Sequence, residues 1–158
     1  MAVQWRRSSI GAHEVDIHAL EANIGARLPE DYRTFLLDHD GGEPEDNEFA
    51  IPGADNASGV NDFMSVKQIR GEIEGYGDRF PSGLIPIAFA EGGNLIFLAL
   101  DDGRVMFWDH ELEGGSPFFT VAASFCAFWD ALEKFDPTSV ELRPGQVKSA
   151  WIDPDLLE

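Results

Sequence analysis

The residues best suited to chemistry stand side by side at Asp109, His110 and Glu111, where one imidazole lies between two carboxylates. Such groups can act as general acid and base or bind a metal ion. Residues 104–109 are predicted to form a strand, however, and side chains alternate between the two faces of a strand. Unless the backbone is irregular there, His110 points away from both carboxylates, so the three groups do not form a triad.

The other candidates match no cofactor or metal site. The acidic run that begins at Asp38 departs from the EF-hand pattern, because Glu43 occupies the position of the obligatory glycine. The Gly-Gly-Asn sequence at 92–94 lacks the glycine spacing of a phosphate-binding loop and is explained as a turn. Cys126 has no base at a suitable spacing and is expected to be a small apolar residue at the margin of a helix face.

We therefore predict that the protein is not an enzyme and has no catalytic residue, no metal and no cofactor. An enzyme or small-ligand binder that uses His110 is kept as an alternative. Under that alternative, His110→Ala would abolish a measurable activity.

The charge of the chain is its most unusual property, because 29 Asp and Glu face only 11 Lys and Arg, giving a net charge of −18. Residues 38–62 carry a net charge of −8 without any Lys or Arg, and residues 101–113 carry −4. Nucleic-acid binders gain affinity by neutralising phosphates with Lys and Arg, so direct binding of nucleic acid is excluded. An acidic run is most often a solvated loop, but clustering in two segments favours a surface for a basic protein partner.

Length and composition predict one domain spanning residues 1–158, with a core over about 13–135 and an irregular C-terminal wrap over 136–158. A hydrophobic content of 44% argues against a disordered chain. The single cysteine, Cys126, closes no intramolecular disulfide, which favours the cytoplasm. We expect no signal peptide and no membrane anchor, since no apolar run reaches about 18 residues.

Apolar spacing and end signals predict two helices in the first quarter of the chain. The first is predicted over 13–24, with Gly25 as its left-handed cap. Pro29 is expected at the first position of the second helix, because its missing N–H and fixed φ suit that position. Gly41 and Gly42 are expected to stop that helix.

Two further helices are predicted from their N-terminal caps. Ser65 and Gln68 stand at capping-box positions and open a third helix that ends at Gly75 and Gly77. Ser124 or a neighbour opens the last helix, whose apolar face begins at Phe125 and shows the clearest amphipathic pattern in the chain.

Residues 84–108 are predicted to form an antiparallel meander. Pro86 lies inside its first strand, which argues for an edge strand or a bulge. The next strand, 95–100, is nearly all apolar, so both its faces are expected to be covered. Asp-Asp-Gly at 101–103 is typical of a hairpin turn, and a further strand is expected over 118–121.

Residues 43–62 are rich in Gly, Pro, Asn and Asp and are predicted to be a loop with one short strand around Phe49 and Ile51. Helices, a break, consecutive strands and a closing helix together predict an α+β fold. We expect an antiparallel-rich or mixed twisted sheet with helices packed mainly on one face.

Several of these segments, taken in order, resemble the SUKH superfamily, the Smi/Knr-like group. The resemblance covers about residues 13–135, and Asp40 departs from the Asn usually found before the paired glycines. The residues that carry it are Leu20-Glu21, Ile24-Gly25, Leu28-Pro29-Glu30-Asp31-Tyr32, Phe35-Leu36, Asp40-Gly41-Gly42, Ile85-Pro86-Ile87-Ala88, Gly92-Gly93-Asn94-Leu95-Ile96, Gly103-Arg104-Val105, Trp108-Asp109-His110-Glu111 and Ser124-Phe125-Phe128.

The resemblance implies an α+β fold and, for bacterial members, an immunity protein that binds and neutralises a toxin, often a nuclease. Fungal relatives are similar interaction modules in cell-wall regulation, so a non-catalytic interaction scaffold is the alternative function. Trp108 could serve as an aromatic anchor for a partner if it is exposed. Because the charge favours a basic partner, we expect the toxin contact to include Glu43, Glu45, Asp46, Glu48, Asp109, Glu111 and Glu113.

Overall fold

A computed structural model describes residues 4–54, 57–134 and 136 of the chain. Within these residues the helices are α1 (Glu14–Ile24), α2 (Glu30–Asp38), α3 (Val66–Tyr76) and α4 (Phe125–Ala131). The strands are β1 (Trp5–Ser8), β2 (Gly42–Pro44), β3 (Glu48–Ala50), β4 (Ala57–Phe63), β5 (Leu84–Ala90), β6 (Leu95–Ala99), β7 (Val105–Trp108) and β8 (Phe118–Ala122). The predicted C-terminal wrap lies outside the described residues, apart from position 136.

The strands form one open antiparallel sheet in the order β1-β2-β4-β5-β6-β7-β8, with β3 paired to β4. Strands β5 to β8 are neighbours in both sequence and space, which confirms the predicted meander. The α+β class and the antiparallel sheet predicted from the sequence are confirmed as well.

The helix signals are confirmed with small shifts at the ends. Gly25 ends α1 in a left-handed conformation with φ +68°. Pro29 is the N-cap of α2 rather than its first helical residue, and the helix ends at Asp38, ahead of Gly41. These shifts of one to three residues are ordinary for helix ends, where the turns fray.

The predicted capping box of α3 is present. The Ser65 hydroxyl accepts a hydrogen bond from the Gln68 N–H at 3.1 Å, and the Gln68 side chain accepts one from the Ser65 N–H at 2.9 Å. Asp40 adds a third acceptor, because its carboxylate accepts the Val66 N–H at 2.7 Å. The residue before the paired glycines therefore fixes the start of the following helix, a role that Asp fills through its charge and hydrogen bond.

The prediction that residues 43–62 form a loop with one short strand is wrong. This segment holds β3, the end of β2 and most of β4. Two features hide β4 in the sequence: Gly59 and Asn61 interrupt the apolar alternation, and a register shift lies between Val60 and Asp62. Pairing with β2, β3 and β5 forms the strand despite its weak local pattern.

Two smaller corrections concern the sheet edges. Strand β5 lies between β4 and β6, so the expectation that Pro86 marks an edge strand is wrong, while the alternative expectation of a bulge is confirmed by a register shift between Pro86 and Ala88. Strand β1, which sequence patterns did not predict, pairs with β2 at the end of the sheet.

One face of the sheet packs against α2 and α4. Residue pairing across β4, β5, β6 and β7 places Phe63 and Phe107 on this face. The Phe63 ring is 1% exposed, and five other rings lie around it with centroid distances between 5.2 and 6.5 Å. These rings come from β1, α2 and α4 and belong to Trp5, Phe35, Phe125, Phe128 and Trp129.

The opposite face of the sheet carries a second aromatic group. Phe97 is fully buried and lies 6.1 Å from Trp108 and 5.8 Å from Phe118, measured between ring centroids. Phe80, which follows α3, covers Phe97 at 5.0 Å. Alternation along β7 therefore sends Phe107 and Trp108 to different faces.

Truncating Phe63 should destabilise the protein, because it removes the ring against which side chains of β1, α2 and α4 pack. We expect Phe63→Ala to lower the free energy of unfolding by about 3–5 kcal/mol, as measured by urea denaturation. Val15→Ala in α1 is the control, since Val15 is 71% exposed and should change the free energy by less than about 0.5 kcal/mol. Equal effects of the two substitutions would contradict the assignment of Phe63 to the core.

A second prediction concerns Glu14, which holds the buried Arg33. Arg33 Nη1 donates to Glu14 Oε1 at 3.3 Å, and this hydrogen bonding with Arg33 lowers the pKa of the Glu14 carboxyl below its ordinary value of 4.5. A carboxyl whose pKa is lowered by folding stabilises the protein above its unfolded pKa and stops doing so as the pH falls through its folded pKa. Glu14→Gln should therefore destabilise the protein at pH 7 and make little difference at about pH 2, in urea titrations at both pH values.

The control for this pH effect is Glu30→Gln. Glu30 pairs with Arg27 at 3.8 Å, and both side chains are largely exposed, so its loss should change stability little at either pH. A Glu14→Gln effect that is the same at both pH values would contradict the account of the Glu14–Arg33 interaction.

Candidate partner-binding surface

The two acidic segments approach each other at two adjoining cavities beside the start of β4. The first, here called the Phe107 cavity, has a volume of about 390 Å³ and is bordered by Asp109 and by Ile51. The second, called the Glu48 cavity, has a volume of about 300 Å³ and is bordered by Glu48 and Arg6. The two cavities share Ala57, Ser58 and Glu91 in their walls.

Aromatic packing brings these segments together. The ring of Phe49 in β3 lies 5.7 Å from Phe107 in β7 and 5.3 Å from Phe128 in α4, measured between centroids. The backbones of Glu48 and Glu133 also exchange two hydrogen bonds of 2.9 Å each. Strand β3 therefore lies over the face that carries Phe107, and the first acidic segment is held close to the end of β7.

The turn after β7 is held by a side-chain clamp. Asn94 Oδ1 accepts hydrogen bonds from the His110 backbone N–H at 3.1 Å and from His110 Nδ1 at 2.6 Å. Asp109 Oδ1 in turn accepts the Glu111 N–H at 3.1 Å. These bonds join the Glu91–Gly93 turn to residues 109–111, so Glu91 and Asp109 are positioned on the same cavity.

The clamp changes the interpretation of His110. The predicted strand over 104–109 ends at Trp108, and a turn follows, so strand alternation does not govern Asp109, His110 and Glu111. His110 Nε2 lies 4.0 Å from Glu111 Oε1, and its Nδ1 is occupied by Asn94. The geometry gives His110 a structural role in the turn. In the described part of the chain, no three His, Cys, Asp or Glu side chains are grouped so as to hold a metal ion.

Three of the seven predicted contact residues have a basic partner within the protein. Glu43 Oε1 lies 3.0 Å from Arg6 Nη1, and Glu45 Oε1 lies 3.7 Å from Lys134 Nζ. Glu111 is the third, beside His110, and its side chain is 82% exposed.

The other four predicted residues present uncompensated charge. Within residues 4–54, 57–134 and 136, no Lys, Arg or His forms an ion pair with Asp46, Glu48, Asp109 or Glu113. Asp46, Glu48 and Asp109 are half-buried, and Glu113 is exposed. Carboxylates without an internal cation present their full charge to a partner.

Glu91 is a member of this surface that the sequence analysis missed. Its sequence context indicates only a turn, yet its side chain borders both cavities, and no ion pair links it to the described residues. A Cβ at Gly59 would lie 3.0 Å from Glu91 Oε1, so the glycine in β4 leaves space for this carboxylate. The glycine that interrupts the β4 pattern was the available sequence signal.

Trp108 does not contribute to the two cavities. It is half-buried on the face opposite to Phe107 and stacks on Phe118 with a centroid distance of 6.4 Å. The suggestion that Trp108 anchors a partner on the acidic surface is therefore not supported by its position.

Comparison with known proteins identifies a family and a bacterial relative. The model of the SMI1 / KNR4 family (SUKH-1) matches residues 11–131. A protein of Bacillus subtilis (strain 168) called "SPbeta prophage-derived uncharacterized protein YokK" is 30% identical over 174 aligned positions, which cover 96% of this chain and 90% of that protein. No helix among the described residues is long and apolar enough to span a membrane.

The clamp at Asn94 can be tested directly. Asn94→Ala removes the acceptor of two hydrogen bonds, so we expect a loss of about 1–3 kcal/mol in the free energy of unfolding and faster hydrogen exchange at the His110 amide. Glu113→Gln is the control, because Glu113 is exposed and should leave both quantities nearly unchanged. Unchanged exchange at the His110 amide in Asn94→Ala would contradict the clamp.

Proposed function

This chain belongs to the SMI1 / KNR4 family (SUKH-1), and we propose that it is a bacterial immunity protein that binds and neutralises a cognate toxin domain in the cytoplasm. The toxin domain would be basic and nuclease-like, and this protein would inhibit it by covering its basic surface. No chemistry by this chain is required, so the proposal does not make it an enzyme.

One observation carries the proposal: three carboxylates from separate chain segments line two adjoining cavities, and none of them forms an ion pair with a described Lys, Arg or His. Glu48 comes from the first acidic segment, Asp109 from the second, and Glu91 from the turn between β5 and β6. Asp46 and Glu113 belong to the same two acidic segments but do not line the cavities. Solubility requires only net charge, not the convergence of unpaired carboxylates from distant parts of the sequence.

Electrostatics explains how such a surface would act. A concentrated negative potential accelerates encounter with a basic partner and orients the partner before contact. A nuclease holds its substrate in a basic groove, so an acidic protein seated on that groove excludes the nucleic acid by charge and by volume. Covering the groove and repelling the nucleic acid are then enough to inhibit the nuclease.

The seven predicted contact residues should not contribute equally. Glu43 and Glu45 already face Arg6 and Lys134, and a partner would have to compete with those cations. Asp46, Glu48, Asp109 and Glu113 have no such competitor among the described residues. We therefore assign most of the binding free energy to this second group, with Glu111 at the exposed margin.

Charge reversal tests the proposal. In the triple variant Asp46→Lys, Glu48→Lys and Glu113→Lys, we expect the affinity for the toxin domain encoded beside the gene to fall by about 100-fold or more. Most of the loss at low salt should be in the association rate, because steering is lost. Surface plasmon resonance measures the rates, and growth on co-expression with the toxin measures protection.

The charge-matched control is Glu72→Lys, Glu74→Lys and Asp78→Lys, in α3 and the turn after it. It changes the net charge by the same amount and should leave the dissociation rate unchanged. Full protection by the first triple variant would refute the surface assignment. Absence of any bound toxin, with a different protein partner captured instead, would favour the alternative function of an interaction scaffold.

A further inference from the structure

The Phe107 cavity combines an apolar lining with charged groups at its edge. Its apolar lining consists of Phe107, which is buried, Phe119, which is half-buried, and Ile51. Leu112, one of the few large apolar residues that are exposed among the described residues, also lines the cavity and is 40% exposed. The volume of about 390 Å³ is at the small end of the range for ligand sites, which suits one long side chain.

Two carboxylates border this apolar space, and both are positioned by the fold. Glu91 lies against Gly59, where a Cβ would come within 3.0 Å of its Oε1, and Asp109 is fixed by the Glu111 N–H. Neither carboxylate forms an ion pair within the described residues. The cavity therefore presents two negative charges beside aromatic rings.

These features select the chemistry of the occupant. A carboxylate or phosphate would be repelled, and a purely apolar side chain would desolvate Glu91 and Asp109 without replacing their lost hydrogen bonds. A side chain with an apolar stem and a cationic head suits both the apolar lining and the two carboxylates. Arginine fits better than lysine, because its planar guanidinium stacks on aromatic rings and donates to two carboxylates from one plane.

We propose that the Phe107 cavity receives an arginine side chain of the protein partner, held between the phenyl rings and the carboxylates of Glu91 and Asp109. The inference rests on the proposed function, which supplies the basic partner. This arginine would be an energetic hot spot, because a buried, aromatic-lined pocket at an interface is where arginine contributes most to affinity.

The pocket is tested first without the partner, using blocked arginine (N-acetyl-arginine N-methylamide) as the probe. In heteronuclear NMR titrations we expect saturable shifts at Phe107, Leu112 and Phe119, with an affinity of about millimolar. The matched neutral probe, blocked citrulline, should bind at least tenfold more weakly. Shifts that do not saturate, that lie elsewhere, or that are equal for the two probes would overturn the proposal.

Two variants of the chain complete the test. The double variant Glu91→Gln and Asp109→Asn keeps the shape of the cavity and its hydrogen-bond acceptors. It should lower the affinity for blocked arginine about tenfold, while the NMR spectrum should still be that of a folded protein. Ala57→Trp should fill the cavity and abolish the saturable shifts. Unchanged binding of blocked arginine to the isosteric variant overturns the proposal even if the filled variant fails to fold.

The toxin domain then separates this inference from the proposed function. If the Lys triple variant loses the toxin but both cavity variants keep full affinity, the function stands and the arginine pocket is refuted. If the chain binds blocked arginine as expected but does not bind the toxin domain, the pocket stands and the proposed function is refuted. If the double variant Glu91→Gln and Asp109→Asn loses both blocked arginine and the toxin domain, the arginine pocket and the proposed function are both supported.

Discussion

The packing of Phe63 against rings from β1, α2 and α4 is the contact on which the rest of the structure depends. Phe63 ends β4, and β4 is the strand that joins β2 and β3 on one side to β5 on the other. With this ring buried, β4 lies in the sheet and β3 packs over Phe107. The acidic segment around β3 then faces the turn after β7, although about 60 residues of sequence separate them.

A net charge of −18 destabilises a folded chain, because like charges repel within a compact molecule. Ion pairs within the protein relieve this repulsion only locally, for example where Arg6 and Arg7 pair with Glu43 and Asp62 and where Lys134 pairs with Glu45. The carboxylates around the two cavities are left without such partners among the described residues. Their arrangement is explained if the missing cations belong to another protein.

Much of the fold could be predicted from local chemistry. The side chains of Ser65, Gln68 and Ser124 each accept an N–H three residues away, so their roles are visible in a short stretch of sequence. The strands of the meander show apolar runs bounded by turns, which also act locally. Strand β4 could not be found in this way, because a bulge shifts its alternation and its partners are distant in sequence.

In the candidate site, too, features set by neighbouring residues could be predicted, whereas features set by distant residues could not. Clustering of acidic residues was visible, and so was the absence of a phosphate-binding or EF-hand pattern. Which carboxylates are neutralised was not visible, because Arg6 is 37 positions from Glu43. The position of Glu91 was not visible because it lies against Gly59 in β4, and strand alternation could not place the His110 side chain because the strand ends at Trp108.

The central claim is that the two acidic segments form one contact surface for a basic protein partner. Hydrogen-exchange mass spectrometry of the chain alone and bound to its toxin domain tests this most directly, since it maps protection without altering any charge. The account predicts slower exchange on binding in both 45–54 and 91–113, with little change in α1 and α3. Protection confined to α1 and α3, or to one acidic segment alone, would contradict it.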